Sequence, residues 1–350
     1  MKKNIYKIIA LVSTSILFLA GCSSEGESVA DGDNGGSDDQ MTFGVIFKST
    51  GNPFGEKAME GFVTAIEEQG HEAVTKAPDQ PNAEQQITMI QELIDQGVDG
   101  IVISANDPDA LQPVLQSAMN QGIAVVTFDS STNAESRDLH IQQADATGIA
   151  QVLADATLDL AGGEGDYAIL SATSTATNQN AWIDEMASLM NEDSTFENLN
   201  LARVAYGDDL RDKSTSETEG LLQSFPDLKV IVAPSTVALA AAAKVVEDQG
   251  LSDDIKVTGL GLPSEMADYI NSGITPYMYL WNPIDMGYMA GYAVVAVANG
   301  EISGETGESF DAGELGQKDI TEASDGGTES ILGEPFRFDQ DNIEEWQDIY

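Results

Sequence analysis

The 350-residue chain has one cysteine, two histidines and only 15 Lys+Arg against 59 Asp+Glu. A single Cys excludes a disulfide framework and any Cys-rich zinc site. The net charge of −44 argues against a nucleic-acid partner, because phosphate binding needs clustered Lys and Arg. The two histidines, His71 and His140, stand in no H-E-x-x-H pattern, and neither a G-x-S-x-G elbow nor a P-loop is present. No D-x-D-x-D-G calcium loop appears either. The apolar stretch at 8–20 is too short to span a bilayer comfortably. What remains is an ordinary globular composition, 42% hydrophobic and 37.1 kDa, long enough for two domains.

The amino terminus reads as an export signal. Lys2, Lys3 and Lys7 precede the apolar stretch, which ends in Leu19-Ala20-Gly21-Cys22. This ending resembles the lipobox of bacterial lipoproteins. The resemblance implies cleavage after residue 21 and lipid on the Cys22 sulfur. The protein is then anchored on the outer face of the cytoplasmic membrane, at a Gram-positive surface or in a Gram-negative periplasm. An uncleaved anchor and an ordinary secretory signal are the competing readings. Residues 22–40 hold no aromatic and one branched aliphatic, Val29, so they form an acidic flexible tether. Beyond it the acidity is spread along the chain. That pattern suits a solvated surface adapted to high salt better than a cation-binding protein. No metal or cofactor is expected.

From Met41 short apolar runs alternate with helical patterns. Strands are expected at 42–47, 100–104 and 123–128, with helices at 53–70, 83–96 and 111–120. A second set follows: strands at 166–170, 201–205, 229–233 and 255–259, with helices at 144–161, 179–190, 213–224 and 238–249. Near-continuous apolar strands separated by helices mean βαβ units and parallel sheets. The fold class is therefore α/β, with two doubly wound parallel-sheet domains in tandem and a cleft between them.

The segments after the strands carry the polar groups. Lys48, Asn52 and Phe54 follow the first strand, and Asp129 follows the third. Asn178 and Gln179 follow a Thr/Ser run, Pro234 and Thr236 follow Ala233, and Trp281 and Asn282 follow Leu280. Amides, one carboxylate, one ammonium and two aromatic rings compose a polyol site, since planar polar groups bind hydroxyls and ring faces cover C–H surfaces. Each residue also has a structural alternative. Asp129, Asn52, Asn178 and Gln179 could cap turns or helices, Lys48 could be a surface lysine, and Phe54 and Trp281 could be core.

F-K-S-T-G-N-P-F at 47–54, D-G-I-V-I-S at 99–104, I-A-V-V-T-F-D-S at 123–130 and W-N-P-x-x-M-G at 281–287 resemble the type I periplasmic sugar-binding proteins, the solute receptors of ABC importers. T-N-Q-N-A-W at 177–182, V-A-P-S-T-V-A-L-A-A-A at 232–242 and G-E-P-F-R-F-D-Q-D-N-I at 333–343 resemble the branch of rhamnose and autoinducer-2 receptors. The resemblance implies two subdomains, 41–142 with 283–328 and 143–282 with 329–350, joined by a multi-strand hinge. It puts Lys48, Asp129, Gln179 and Pro234 at ligand-contact positions, and it is the sole basis for Pro234 and Thr236. Autoinducer-2 receptors carry Asp where Asn178 stands and Ala where Thr236 stands, so the chain looks more like a rhamnose receptor. The expected function is a monomeric binding lipoprotein that takes L-rhamnose or a similar deoxyhexose by hinge closure and docks on an ABC permease. An autoinducer-2 receptor, or a receptor for another pentose or hexose, is the alternative. A chemosensory role is compatible with either. An exported hydrolase lacks a motif, and a transcription regulator would need a basic helix-turn-helix where the signal and tether lie.

Overall fold

The computed structural model describes residues 40–350. Residues 1–39, with the expected signal peptide, Cys22 and nearly all of the tether, lie outside the described residues. From Gln40 the chain runs β1 (Thr42–Ile46), α1 (Pro53–Glu68), β2 (Glu72–Lys76), α2 (Ala83–Gln96), β3 (Gly100–Ile103), α3 (Pro108–Met119), β4 (Ala124–Phe128) and β5 (Leu139–Gln142). β3 and β4 are buried at every residue, as expected of parallel strands covered by helices on both faces. Asn52, Asn82 and Asp107 accept backbone N–H bonds at the starts of α1, α2 and α3, with Pro53 and Pro108 in the first turns.

The second run is α4 (Ala146–Ala161), β6 (Gly165–Ser171), α5 (Thr177–Glu192), β7 (Leu199–Tyr206), α6 (Arg211–Ser224), β8 (Leu228–Ala233), α7 (Thr236–Asp248), β9 (Lys256–Gly259), α8 (Pro263–Ser272) and β10 (Tyr277–Leu280). It is followed by α9 (Pro283–Ala298), β11 (Ser309–Asp311), β12 (Gln317–Asp319), β13 (Thr321–Glu322), β14 (Thr328–Ile331), β15 (Phe336–Asp339) and α10 (Ile343–Trp346). The first sheet has the order β13-β14-β5-β4-β3-β1-β2, and the second β7-β6-β8-β9. Within them only the β13–β14 hairpin is antiparallel. β10 extends the second sheet through a Leu260–Tyr279 bridge and carries β15 antiparallel on its other side.

Sheet membership locates three passages between the sheets. The chain crosses at 143–145, between β5 and α4, and returns at 281–282, between β10 and α9. It crosses again at 332–335, between β14 and β15. The third falls after 328, because Glu329, Ser330 and Ile331 pair with His140, Ile141 and Gln142 of the first sheet. Together the two sheets form one compact unit over residues 40–350.

The return helix α9 packs on α1 through glycines. A Cβ on Gly287 would lie 1.7 Å from the Ala58 carbonyl oxygen, and one on Gly61 would lie 1.9 Å from that of Ile284. The two backbones therefore touch only because side chains are absent there. β2, β5 and α8 were not expected from the sequence, and neither were β11 to β15 and α10. β2 reads EAVTK and mixes exposed and half-buried residues at the sheet edge, with none fully buried. β5 offers only Leu139 and Ile141 as apolar residues. α8 is short and begins at Pro263.

Candidate functional site

The strand ends of both sheets converge on one small cavity of about 30 Å³. From the first sheet come Phe47, Lys48, Asn52, Phe54 and Asp129. From the second come Asn178, Gln179, Trp182, Asp209, Pro234, Ser235, Thr236, Leu260, Leu280 and Trp281. Nine of the ten residues named from the sequence line it. Asn282 does not. Its Oδ1 accepts from Ile284 N at 2.9 Å and caps α9, the ordinary role of an Asn before a helical Pro.

Asp129 is the hub. It sits at φ 57°, a left-handed conformation that Asp tolerates but most residues avoid. There its Oδ2 meets Lys48 Nζ at 2.9 Å and accepts from Ser104 Oγ at 2.7 Å. Its Oδ1 accepts from Asn178 Nδ2 at 2.8 Å. Lys48 and Asp129 are both buried, and a buried ion pair is tolerable only with such supporting hydrogen bonds.

Asn178 ties the two sides together. Besides donating to Asp129, it accepts from Ser130 Oγ at 2.9 Å and from Gln179 N at 2.8 Å. Nearby, Thr177 Oγ1 donates to Ser131 O and Thr175 Oγ1 to Asn106 O. Gln179 commits its carbonyl to Ser171 Oγ and Ala172 N, both at 2.8 Å. Asn52 commits its carbonyl to Gly55 N. These side chains therefore turn their N–H groups toward further partners, while their oxygens are engaged.

The apolar wall is aromatic. Phe54 meets Trp281 edge-on at 6.2 Å, and Trp281 meets Trp182 at 5.7 Å. The indole N–H groups of Trp182 and Trp281 are buried without a hydrogen-bond partner, and a buried donor in that state costs free energy unless something satisfies it.

Sequence reading passed over Trp182 and Asp209. Trp182 lies four residues after Asn178 in α5 and so shares its helix face. Asp209 ends the Gly-Asp-Asp turn after β7, two residues before Arg211. Arg211 pairs with Glu265. Burial pushes the Asp209 carboxyl up, against the opposing pull of the Lys48 ammonium and the Ser235 hydroxyl.

Against known proteins, the family model for periplasmic binding protein domains matches residues 43–302. The chain belongs to this family. An ABC transporter solute-binding protein from Clostridium phytofermentas, solved with bound L-rhamnose, is 52% identical. It aligns with TM-score 0.87 over 89% of this chain and 99% of that one. The ribose import binding protein RbsB of Bacillus subtilis is 25% identical, over 74% of this chain and 81% of its own length. The LsrB protein of Clostridium saccharobutylicum, solved with AI-2, shares the fold at 23% identity and TM-score 0.81, over 87% of this chain and 99% of that one. This periplasmic binding protein thus has the type I sugar-binding fold and is an extracytoplasmic solute-binding component of the sugar ABC transporters. Members of this family bind solutes for transport and are not enzymes. No described helix is long and apolar enough to cross a membrane.

Proposed function

We propose that this protein captures L-rhamnose or a closely similar deoxyhexose in the cavity between its two sheets. The observation that carries this is the division of the cavity wall. Phe54, Trp182, Trp281, Leu260 and Leu280 offer apolar surface, and Lys48, Gln179, Asn52 and Asp209 offer polar groups. A deoxyhexose has both a methyl-bearing apolar edge and a set of hydroxyls, so it matches both parts. The 52% identity to a protein holding L-rhamnose supports the same reading. Lys48, Asn52, Phe54, Asp129, Gln179, Pro234, Thr236 and Trp281 are its proposed ligand contacts, and Asn178 supports them by bridging the sheets.

In this reading two lobes, 41–142 with 283–331 and 143–282 with 332–350, close about the three crossings. Ligand joins them and shifts the open–closed population. The closed form then docks as a monomer on its permease. Cys22 carries the lipid that holds the protein at the membrane, and Cys22→Ala abolishes incorporation of labelled fatty acid.

Calorimetric titration tests the ligand. Saturable binding of L-rhamnose, lost in Asp129→Ala, is expected. Silence with rhamnose but binding of autoinducer-2, ribose or galactose would overturn the ligand while leaving the receptor role intact.

A further inference from the structure

The hydrogen-bond inventory of the cavity is lopsided. A sugar hydroxyl both donates and accepts, so a polyol site must supply acceptors as well as donors. Donors abound: Lys48 Nζ beyond its contact with Asp129, Gln179 Nε2, Asn52 Nδ2, and the two partnerless indole N–H groups. Acceptors are largely consumed. The oxygens of Asn52, Asn178 and Gln179 already take protein donors. Asp129 Oδ2 takes two donors and Oδ1 one.

Asp209 is the exception. Its Oδ1 accepts from Ser235 Oγ at 2.6 Å, and among the described residues Oδ2 makes no hydrogen bond to protein. The residue keeps partial accessible surface although interior-like protein surrounds it. The residue lines the cavity. Its backbone is held at φ 52°, next to Asp208 at φ 53°. Besides Asp129, these are the only non-glycine residues among the described ones in that region. Such conformations persist where surrounding structure enforces them, often at binding sites. Ser235 fixes the carboxylate further, because its hydroxyl also accepts from Ala238 N at the start of α7.

We infer that Asp209 is the principal hydrogen-bond acceptor for the hydroxyls of the bound sugar, acting from the lobe opposite Lys48 and Asp129. The inference rests on the sugar-receptor reading above and names a specificity-determining residue within it. It also gives the site a preference by charge. A neutral polyol donates to Asp209, whereas a sugar acid would bring a third carboxylate against Asp209 and Asp129 with only Lys48 to offset them.

The test is calorimetric titration of the purified protein and of Asp209→Asn, with L-rhamnose and its aldonic acid, from pH 7.5 down to pH 4.5. Removing a charged acceptor is expected to weaken rhamnose binding roughly 10- to 150-fold at neutral pH, with an unchanged melting temperature. The pH profile separates this from a merely structural role. Charged groups around the carboxyl are Lys48, Asp129 and Asp208, the last paired with Lys213. A ligand hydroxyl that donates to Asp209 favours its ionised form, so wild-type affinity falls as pH falls through the raised Asp209 titration. The Asn variant loses that component of the profile. Wild-type-like affinity in Asp209→Asn, or equal binding of rhamnose and its acid, overturns the proposal. If another sugar binds in place of rhamnose, the ligand reading fails, and the same comparison on that sugar decides the role of Asp209.

Discussion

Replacing Asn178 by Asp changes one atom and reverses an interaction. Asn178 Nδ2 now donates to Asp129 Oδ1 at 2.8 Å across the cleft. A carboxylate there would face a carboxylate. At that separation two unit charges repel by about 6 kcal/mol at an effective dielectric near 20. Lys48, 2.9 Å from the other oxygen of Asp129, offsets part of this. Proton uptake by the pair or separation of the lobes relieves more. While both carboxyls stay ionised, the hydrogen bond to a charged acceptor is lost as well, about 1.5–3 kcal/mol, or roughly 10- to 150-fold in the closed population. Asn178→Ala loses that bond without adding charge and sets the baseline. The assays are the radius of gyration by solution scattering, with and without sugar, and the calorimetric Kd. At pH 7 the Asp variant is expected to be more open and to bind more weakly than the Ala variant. The gap should narrow in acid as one carboxyl of the pair takes up a proton. An Asp variant that closes and binds as well as the Ala variant at pH 7 would refute the reasoning.

Three further outcomes follow from the packing and the charges. Gly287→Ala forces a methyl group 1.7 Å from the Ala58 carbonyl and should destabilise the chain by about 1–3 kcal/mol in urea unfolding; an unchanged midpoint would contradict the described contact of α1 with α9. His140 is buried, and burial together with the neighbouring Arg137 lowers its pKa to about 4. The unfolded chain therefore binds a proton that the folded one refuses, and stability present above pH 6.5 is lost as pH falls toward 4, by about 2 kcal/mol between pH 7 and 5. His140→Gln should remove that share of the pH dependence, and an unaltered slope would exclude it. With a net charge of −44, the melting temperature should climb with KCl as screening weakens self-repulsion; a melting temperature indifferent to salt would sink the adaptation to saline conditions.

Legibility in the sequence followed the strength of the local signal. GIVIS and AVVTF are short, apolar and β-branched, and no helix of that length competes with them. EAVTK at the sheet edge is half polar, because an edge strand has water on one side, and its pattern dissolves into the neighbouring helix and loop. The cavity residues that could be named ahead, such as Lys48, Asp129 and Trp281, stand directly after such strands or in quoted motifs. Asn282 stood there too, but the Asn-Pro pair that marks a helix start describes what it does, as at Asn52 and Pro53. Asn52 differs in being able to cap α1 with its oxygen and still border the cavity. Asp209 was hidden because in a chain with 59 acidic residues one more carboxylate carries no information by type. Its meaning comes from what its neighbours have already spent: the cavity's amide oxygens are engaged by protein donors, and only three-dimensional bookkeeping of those bonds shows that a hydroxyl-rich ligand still needs an acceptor there.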